Sequence, residues 1–333
     1  MAGSLHFRQQ FYTITIFLIK GLVGLGVLYL GYRQVLLIRQ NWYDNGLALS
    51  SLSFWWVLIS FFMIPINWGV EIIKWRYLLN TIRVASWTMS FKAVLTGVAL
   101  SLVTPLKLGE YLGRGAHYPS GKRVDALGLN LISTFSHIWV VLFVGLVVLS
   151  FKGLDQLEVP FGHHFSVPKW FFAGLAILLL GVLVTPLVLT ITWSRIPFWI
   201  RAKLPSALLT SNWQGLYKTS WRVSLSLSFA RYSIYLHQFL FLLWGLQVDL
   251  PWEVLSITLA MMYFIQSGVP LPSFLSFVVR GEVLLWLLTP WEVEPAGVLL
   301  ASYFQWLFNL GIPAVIGLWG VVGYKSRNKE KHS

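Results

Sequence analysis

The chain is a succession of long apolar runs cut by short clusters of charge. Runs of about 20 residues, the length a helix needs to cross a ~30 Å hydrocarbon core, fall at 12–31, 54–74, 126–150, 169–192, 223–247 and 297–320. They are apolar throughout rather than alternating, which predicts helices and not the strands of a barrel. Two more apolar stretches, 92–116 and 252–289, are broken near their centres. The first breaks at Thr104-Pro105-Leu106-Lys107-Leu108-Gly109-Glu110, the second at Gly268-Val269-Pro270-Leu271-Pro272-Ser273. Proline removes a backbone donor and pushes the residue before it out of the helical region. Pro105, Gly109, Pro270 and Pro272 are therefore read as hairpin breakers.

Composition sharpens the class. Of 333 residues, 56 % are hydrophobic and 11 % charged, with a mean hydropathy of +0.69. A soluble domain carries roughly 25 % charged residues. The expectation is an all-α polytopic membrane protein. The net charge of +13 then belongs to cytoplasmic loops, not to a nucleic-acid face. With no cysteine, disulfides and thiolate metal sites are excluded, and no metal or cofactor is expected. The adjacent His163 and His164 lack further ligands in sequence.

The basic residues orient the chain. Sixteen fall on one side: Arg8; Lys74, Arg76, Arg83 and Lys92; Lys122 and Arg123; Arg195, Arg201, Lys203, Lys218 and Arg222; and Lys325, Arg327, Lys329 and Lys331. Four, Arg33, Arg39, Lys152 and Lys169, fall on the other. The rule that Lys and Arg stay inside puts both termini in the cytoplasm. Residues 193–222 mix Trp199, Trp213 and Trp221 with these cations and are broken by Pro197 and Pro205. This mixture suits a segment on the anionic leaflet surface as well as a plain basic loop.

By the same count 92–116 begins and ends in the cytoplasm; the acids Asp249, Glu253, Glu292 and Glu294 flank 252–289 and put both its ends outside. About 25 residues cannot cross twice as full helices, so the first is expected to be re-entrant. The chain then divides into 1–160 and 161–333. Each half holds two spans, a broken hairpin and a further span, about six full spans in all, and the second half is inverted. Inverted repeats with broken helices are a transporter arrangement. Simple proline-kinked spans remain the alternative.

Eight charges fall inside apolar stretches: Lys20, Lys107, Arg114, Arg231 and Arg280, and Glu71, Glu110 and Glu282. Each costs about 2.5–3.5 kcal/mol at mid-membrane unless it has a partner or water. Glu71 and Lys74 have the spacing of a structural ion pair. Lys107, Glu110, Arg114, Arg280 and Glu282 belong to the two hairpins. If the hairpins meet, their net positive charge suits an anion such as phosphate.

Trp68-x-x-Glu71-x-x-Lys74-Trp75-x-x-Leu78, followed by Gly97-x-x-x-Ser101-x-x-x-Pro105-x-Lys107-x-Gly109-Glu110-x-x-x-Arg114, resembles the lysylphosphatidylglycerol synthase transmembrane-region family, also called the flippase-like domain. Pro270-x-Pro272 with Arg280-x-Glu282 is similar to that family's second motif region. The likeness spans about residues 10–322. It departs at Ser101 and Lys107, where the family often has Asn and Arg, and at Gly113, where the family's Arg commonly stands. The resemblance implies a bacterial cytoplasmic-membrane protein that moves a phospholipid, an aminoacylated lipid or a polyprenyl phosphate between leaflets. Lys107, Arg114 and Arg280 would contact phosphate, while Glu110 and Glu282 would separate the cations or carry protons. The synthase chemistry of the fused relatives resides in a soluble domain not expected here, so no catalytic residue is assigned. The alternatives are an intramembrane enzyme acting on a lipid phosphate and a non-catalytic membrane scaffold. Oligomeric state stays open, although Gly21, Gly24 and Gly26 permit close helix packing.

Overall fold

A computed structural model describes residues 25–40, 53–82, 84–104, 108–118, 123–152, 173–175, 177, 213–268 and 273–318. Among these residues there are helices and helical turns but no strand. Helix α1 covers 25–40. It is followed by α2 (Phe54–Asn80), α3 (Trp87–Val103), α4 (Leu108–Ala116), α5 (Arg123–Lys152), α6 (Trp213–Gly245), α7 (Trp252–Ser267), α8 (Ser276–Leu287) and α9 (Pro295–Trp306). A π-turn at Leu307–Gly311 carries α9 onward to residue 318.

Among the described residues, three helices are long and apolar enough to cross a bilayer: Phe54–Asn80, Ala126–Phe151 and Pro295–Leu318. The protein is accordingly an all-α membrane protein. The expected span 223–247 falls in α6 up to Gly245 but is less apolar, because Ser224, Ser226, Ser228, Arg231, Ser233 and Gln238 interrupt it. Of the expected spans 12–31 and 169–192, only 25–31, 173–175 and 177 belong to the described residues.

Helix α2 buries Ser60, Asn67, Glu71 and Lys74 beside Ile64, Trp68, Trp75, Leu78 and Leu79, whereas Phe54, Trp55, Phe62 and Ile66 are exposed. Polar groups within and large apolar groups outside suit a helix whose solvent is lipid. Helices α2 and α6 run antiparallel at the centre. Ser53 N–H donates to Gly245 C=O at one end, Ser60 and Gln238 exchange side-chain to backbone bonds at 3.0 and 2.9 Å, and Lys74 reaches Ser228 at the other. Helix α5 packs on α6 and α7, and α9 on α8 and α6.

Both broken stretches fold back on themselves. Thr104 sits in extended backbone (φ −105°, ψ 137°), as a residue before proline should. Its hydroxyl donates to Leu100 C=O (2.9 Å) and accepts from Gly109 N–H (2.7 Å), so one side chain serves the end of α3 and the start of α4. The two helices then close at backbone distance. A Cβ on Gly109 would lie 2.2 Å from Leu100 O, and one on Gly113 would lie 2.6 Å from Gly97 Cα. In the second stretch Gln266 makes the closure. Its amide donates to Ser276 C=O (3.1 Å) and its carbonyl accepts from Arg280 Nε (3.3 Å), joining the end of α7 to the start of α8. The breakers Pro105, Pro270 and Pro272 lie outside the described residues. Helix α3 also touches the Ser273–Leu275 turn that leads into α8, so the two hairpins are neighbours.

Candidate functional site

Glu71, buried at the centre of α2, is the focus of the polar interior. Its Oε2 accepts from Lys74 Nζ at 2.9 Å and from Arg231 Nη1 at 2.8 Å. Its Oε1 accepts from Arg114 Nη2 at 2.7 Å and, at 3.5 Å, from the Ser133 hydroxyl of α5. Arg114 also pairs with Glu110 one turn earlier on α4. Four helices thus converge on one carboxylate. The guanidinium groups of Arg114 and Arg231 each stack on a tryptophan of α2, Trp75 and Trp68, at 4.8 Å in both cases.

Charge does not balance. Lys74, Arg114 and Arg231 face Glu71 and Glu110, which leaves one positive charge over. Buried ions need excellent pairing to offset desolvation. Yet Arg114 is 1 % exposed, and its Nε and Nη1 are buried with no hydrogen-bond acceptor. The group is also partly open at its edge. The side chains of Arg231 and Glu110 are 19 % and 20 % exposed, against 2 % or less for Glu71, Lys74 and Arg114. A small anion at that edge would complete the charge balance.

A line of neutral polar groups extends the cluster. Arg231 Nε donates to Asn67 Oδ1 (3.2 Å), and Asn67 Nδ2 donates to Asn309 Oδ1. Asn309 Nδ2 donates to Gln238 Oε1 (2.8 Å), and Gln238 pairs with Ser60. Asn309 lies in the π-turn of the last helix. Pro313, four residues on, has no N–H to offer the Asn309 carbonyl, so a widened turn is a local consequence of the sequence. Such turns recur where a helix must present a functional side chain.

The remaining predicted residues lie elsewhere. Arg280 of α8 lies against a pair of packed rings, Tyr235 (5.7 Å) and Tyr263 (5.8 Å), whose centroids are 5.1 Å apart, with Gln266 on its Nε. Glu282 accepts from Gln34 (3.2 Å) and pairs with Arg33 (3.4 Å), both on α1. Among the described residues no ion pair joins Arg280 to Glu110 or to Glu282. Lys107 lies outside the described residues. The four described hairpin charges are therefore distributed between a Glu71 group, which holds Glu110 and Arg114, and an α8 group, which holds Arg280 and Glu282. Helix α6 links the two: Arg231 reaches Glu71, and Tyr235, one turn on, faces Arg280.

The sequence reading leaves Arg231 without a role and passes over Asn67, Gln238, Gln305 and Asn309. Their signal was present. Each is a polar side chain within or beside an expected span, where such residues face the bundle interior. Comparison with known proteins gives no further guidance: no family model, no curated protein and no solved structure matches the chain.

Proposed function

We propose that the chain is a lipid translocase of the flippase-like kind, moving a phosphate-bearing lipid between leaflets of a bacterial cytoplasmic membrane with both termini inside. The observation that carries this reading is the Glu71 group. It is net positive, is buried among apolar helices, is partly open at its edge and holds buried guanidinium donors without acceptors. A phosphate headgroup would enter along that edge and take the excess charge, while its acyl or prenyl tails stay in lipid. Arginine forks suit phosphate because they bind it through parallel N–H groups.

The proposal includes the inverted repeat, with 92–116 and 252–289 entering from opposite faces. Two matching contacts favour it. Gly145 of α5, the span that follows the first hairpin, packs on Phe264 of the second; a Cβ there would lie 2.4 Å from the ring. Gly317, on the span that follows the second hairpin, packs on Leu95 of the first; a Cβ there would lie 2.1 Å from its carbonyl oxygen. Each hairpin is thus held by the other half's closing span through a glycine.

The test is transport in proteoliposomes. A fluorescent lipid phosphate placed in one leaflet should become accessible to a membrane-impermeant quencher only when the protein is present. Phosphate release from the same lipid is measured in parallel. Release without movement would establish the enzyme reading, and neither release nor movement across lipid phosphates would leave the scaffold.

A further inference from the structure

We propose that Arg280 is the cation of a second oxyanion subsite, separate from the Glu71 group, which takes a phosphate-type oxyanion on the free edge of its guanidinium. The inference rests on the translocation reading for the source of that anion, a lipid headgroup, but not for its charge.

Arg280 is 6 % exposed, and its Nη1 is buried with no acceptor. Its Nε donates only to a neutral amide, Gln266. A carboxylate stands two positions on, but residues i and i+2 of a helix do not face one another. Glu282 accordingly turns to Arg33 and Gln34 of α1. The helix places an acid beside the arginine in sequence and away from it in space, leaving a buried cation with no acid among the described residues. Tyr235 and Tyr263 lie against it. Contact with ring faces leaves the in-plane N–H edges of a guanidinium available, and those edges match the spacing of phosphate oxygens. A second donor stands close in the chain. Ser273, in the turn that opens into α8, is 5 % exposed with an unpartnered hydroxyl. Its backbone carbonyl, not its hydroxyl, is tied through Ser276 and Gln266 to Arg280.

The position of the subsite gives it a use. Arg231 and Tyr235 are four residues apart on α6, about 6 Å along the axis. One belongs to the Glu71 group and the other to Arg280. An anion leaving the first group meets the second one turn away, and the two lie on different hairpins. The headgroup then moves between two stations rather than across an uninterrupted apolar gap.

The experiment uses the full chain in maltoside micelles, which bring no phosphate. Binding of dihexanoyl phosphatidic acid, dihexanoylglycerol and inorganic phosphate is followed by calorimetry for the native chain and for Arg280→Gln, Arg280→Lys, Ser273→Ala and Arg231→Gln. The lipid phosphate should bind and dihexanoylglycerol should not. Arg280→Gln should melt like the native chain and weaken one component of binding at least tenfold. Arg280→Lys should weaken it less, and Arg231→Gln should leave that component in place. A folded Arg280→Gln chain with native affinity overturns the subsite and leaves Arg280 as a cation held by tyrosine faces. If Arg280→Gln does not fold, unchanged affinity in both Arg280→Lys and Ser273→Ala overturns it equally. Arg280-dependent binding of inorganic phosphate as tight as that of the lipid keeps the subsite and assigns it to a soluble anion. Arg280-dependent lipid binding with no movement in proteoliposomes keeps the subsite and removes the translocation reading.

Discussion

The Arg231 guanidinium lies 2.8 Å from the Glu71 carboxylate and joins two helices whose contact residues are 160 positions apart. Each group is costly alone at membrane depth; Arg231 also rests on Trp68 and bonds Asn67, and Glu71 also holds Lys74 and Arg114. The pair sits where α2 and α6 cross the centre of the bundle. It couples the packing of the two halves to the ion cluster.

Removing the carboxylate should be the most damaging single change in the cluster. Glu71→Gln leaves Lys74, Arg114 and Arg231 facing one another without their shared partner. Breaking a buried pair by deleting one member costs about 3–5 kcal/mol, and three cations share this acid. We expect a large drop in the detergent melting temperature and a loss of membrane yield. Arg231→Gln, at the open edge, should cost distinctly less. Equal melting of the two variants would show that Glu71 does not organise the cluster.

The hairpin glycines give a steric test. Gly113→Ala would place a methyl group 2.6 Å from Gly97 Cα, against backbone that cannot swing aside. Helices α3 and α4 must separate, and Arg114, the next residue, moves with α4 away from Glu71. Overpacking of this sort costs about 1–3 kcal/mol, and transport should fall further than stability does. Gly69→Ala on α2 meets no atom within 4 Å and serves as the control. A Gly113→Ala chain that transports like Gly69→Ala would mean that the closure does not position Arg114.

The amide line should show measurable coupling. Asn67 and Asn309 are directly bonded, and Asn309 also holds Gln238. Interhelical hydrogen bonds in membranes average about 0.6 kcal/mol and reach about 1.7. A double-mutant cycle on Asn67→Leu and Asn309→Leu, read by unfolding in mixed micelles, should return a coupling in that range. Strict additivity would mean that the π-turn does not serve to place Asn309.

Much of the helical frame was legible because apolar run length is a one-dimensional property. The breaks at Thr104-Pro105 and after Gly268 were legible because proline acts locally. The Glu110–Arg114 contact follows from i, i+4 spacing on α4, and Glu71–Lys74 from i, i+3 on α2. The partnership of Glu71 with Arg114 and Arg231 was not legible. It depends on the rotation of α2 against α4 and α6, which packing sets and periodicity does not record. The same holds for Glu282: its spacing from Arg280 suggests a shared site, but the helix turns it toward α1.

The last prediction tests whether both hairpins are re-entrant. At 1.5 Å per residue, the 17 residues of α3 extend about 26 Å and the 9 of α4 about 14 Å. The 16 of α7 extend about 24 Å and the 12 of α8 about 18 Å. A ~30 Å core lies beyond the reach of α4 and of α8, so the expectation is that each hairpin leaves by the face it entered. The chain has no cysteine, so introduced thiols report without background. Cysteines at Val84 and Ala116 flank the first hairpin, and those at Trp252 and Trp291 flank the second. A membrane-impermeant maleimide added outside sealed, oriented vesicles should label Trp252→Cys and Trp291→Cys but not Val84→Cys or Ala116→Cys. Opening the vesicles should expose Val84→Cys and Ala116→Cys. Val84 and Ala116 on opposite faces would make the first stretch a kinked crossing and would end the inverted-repeat reading. Opposite faces for Trp252 and Trp291 would do the same from the other half.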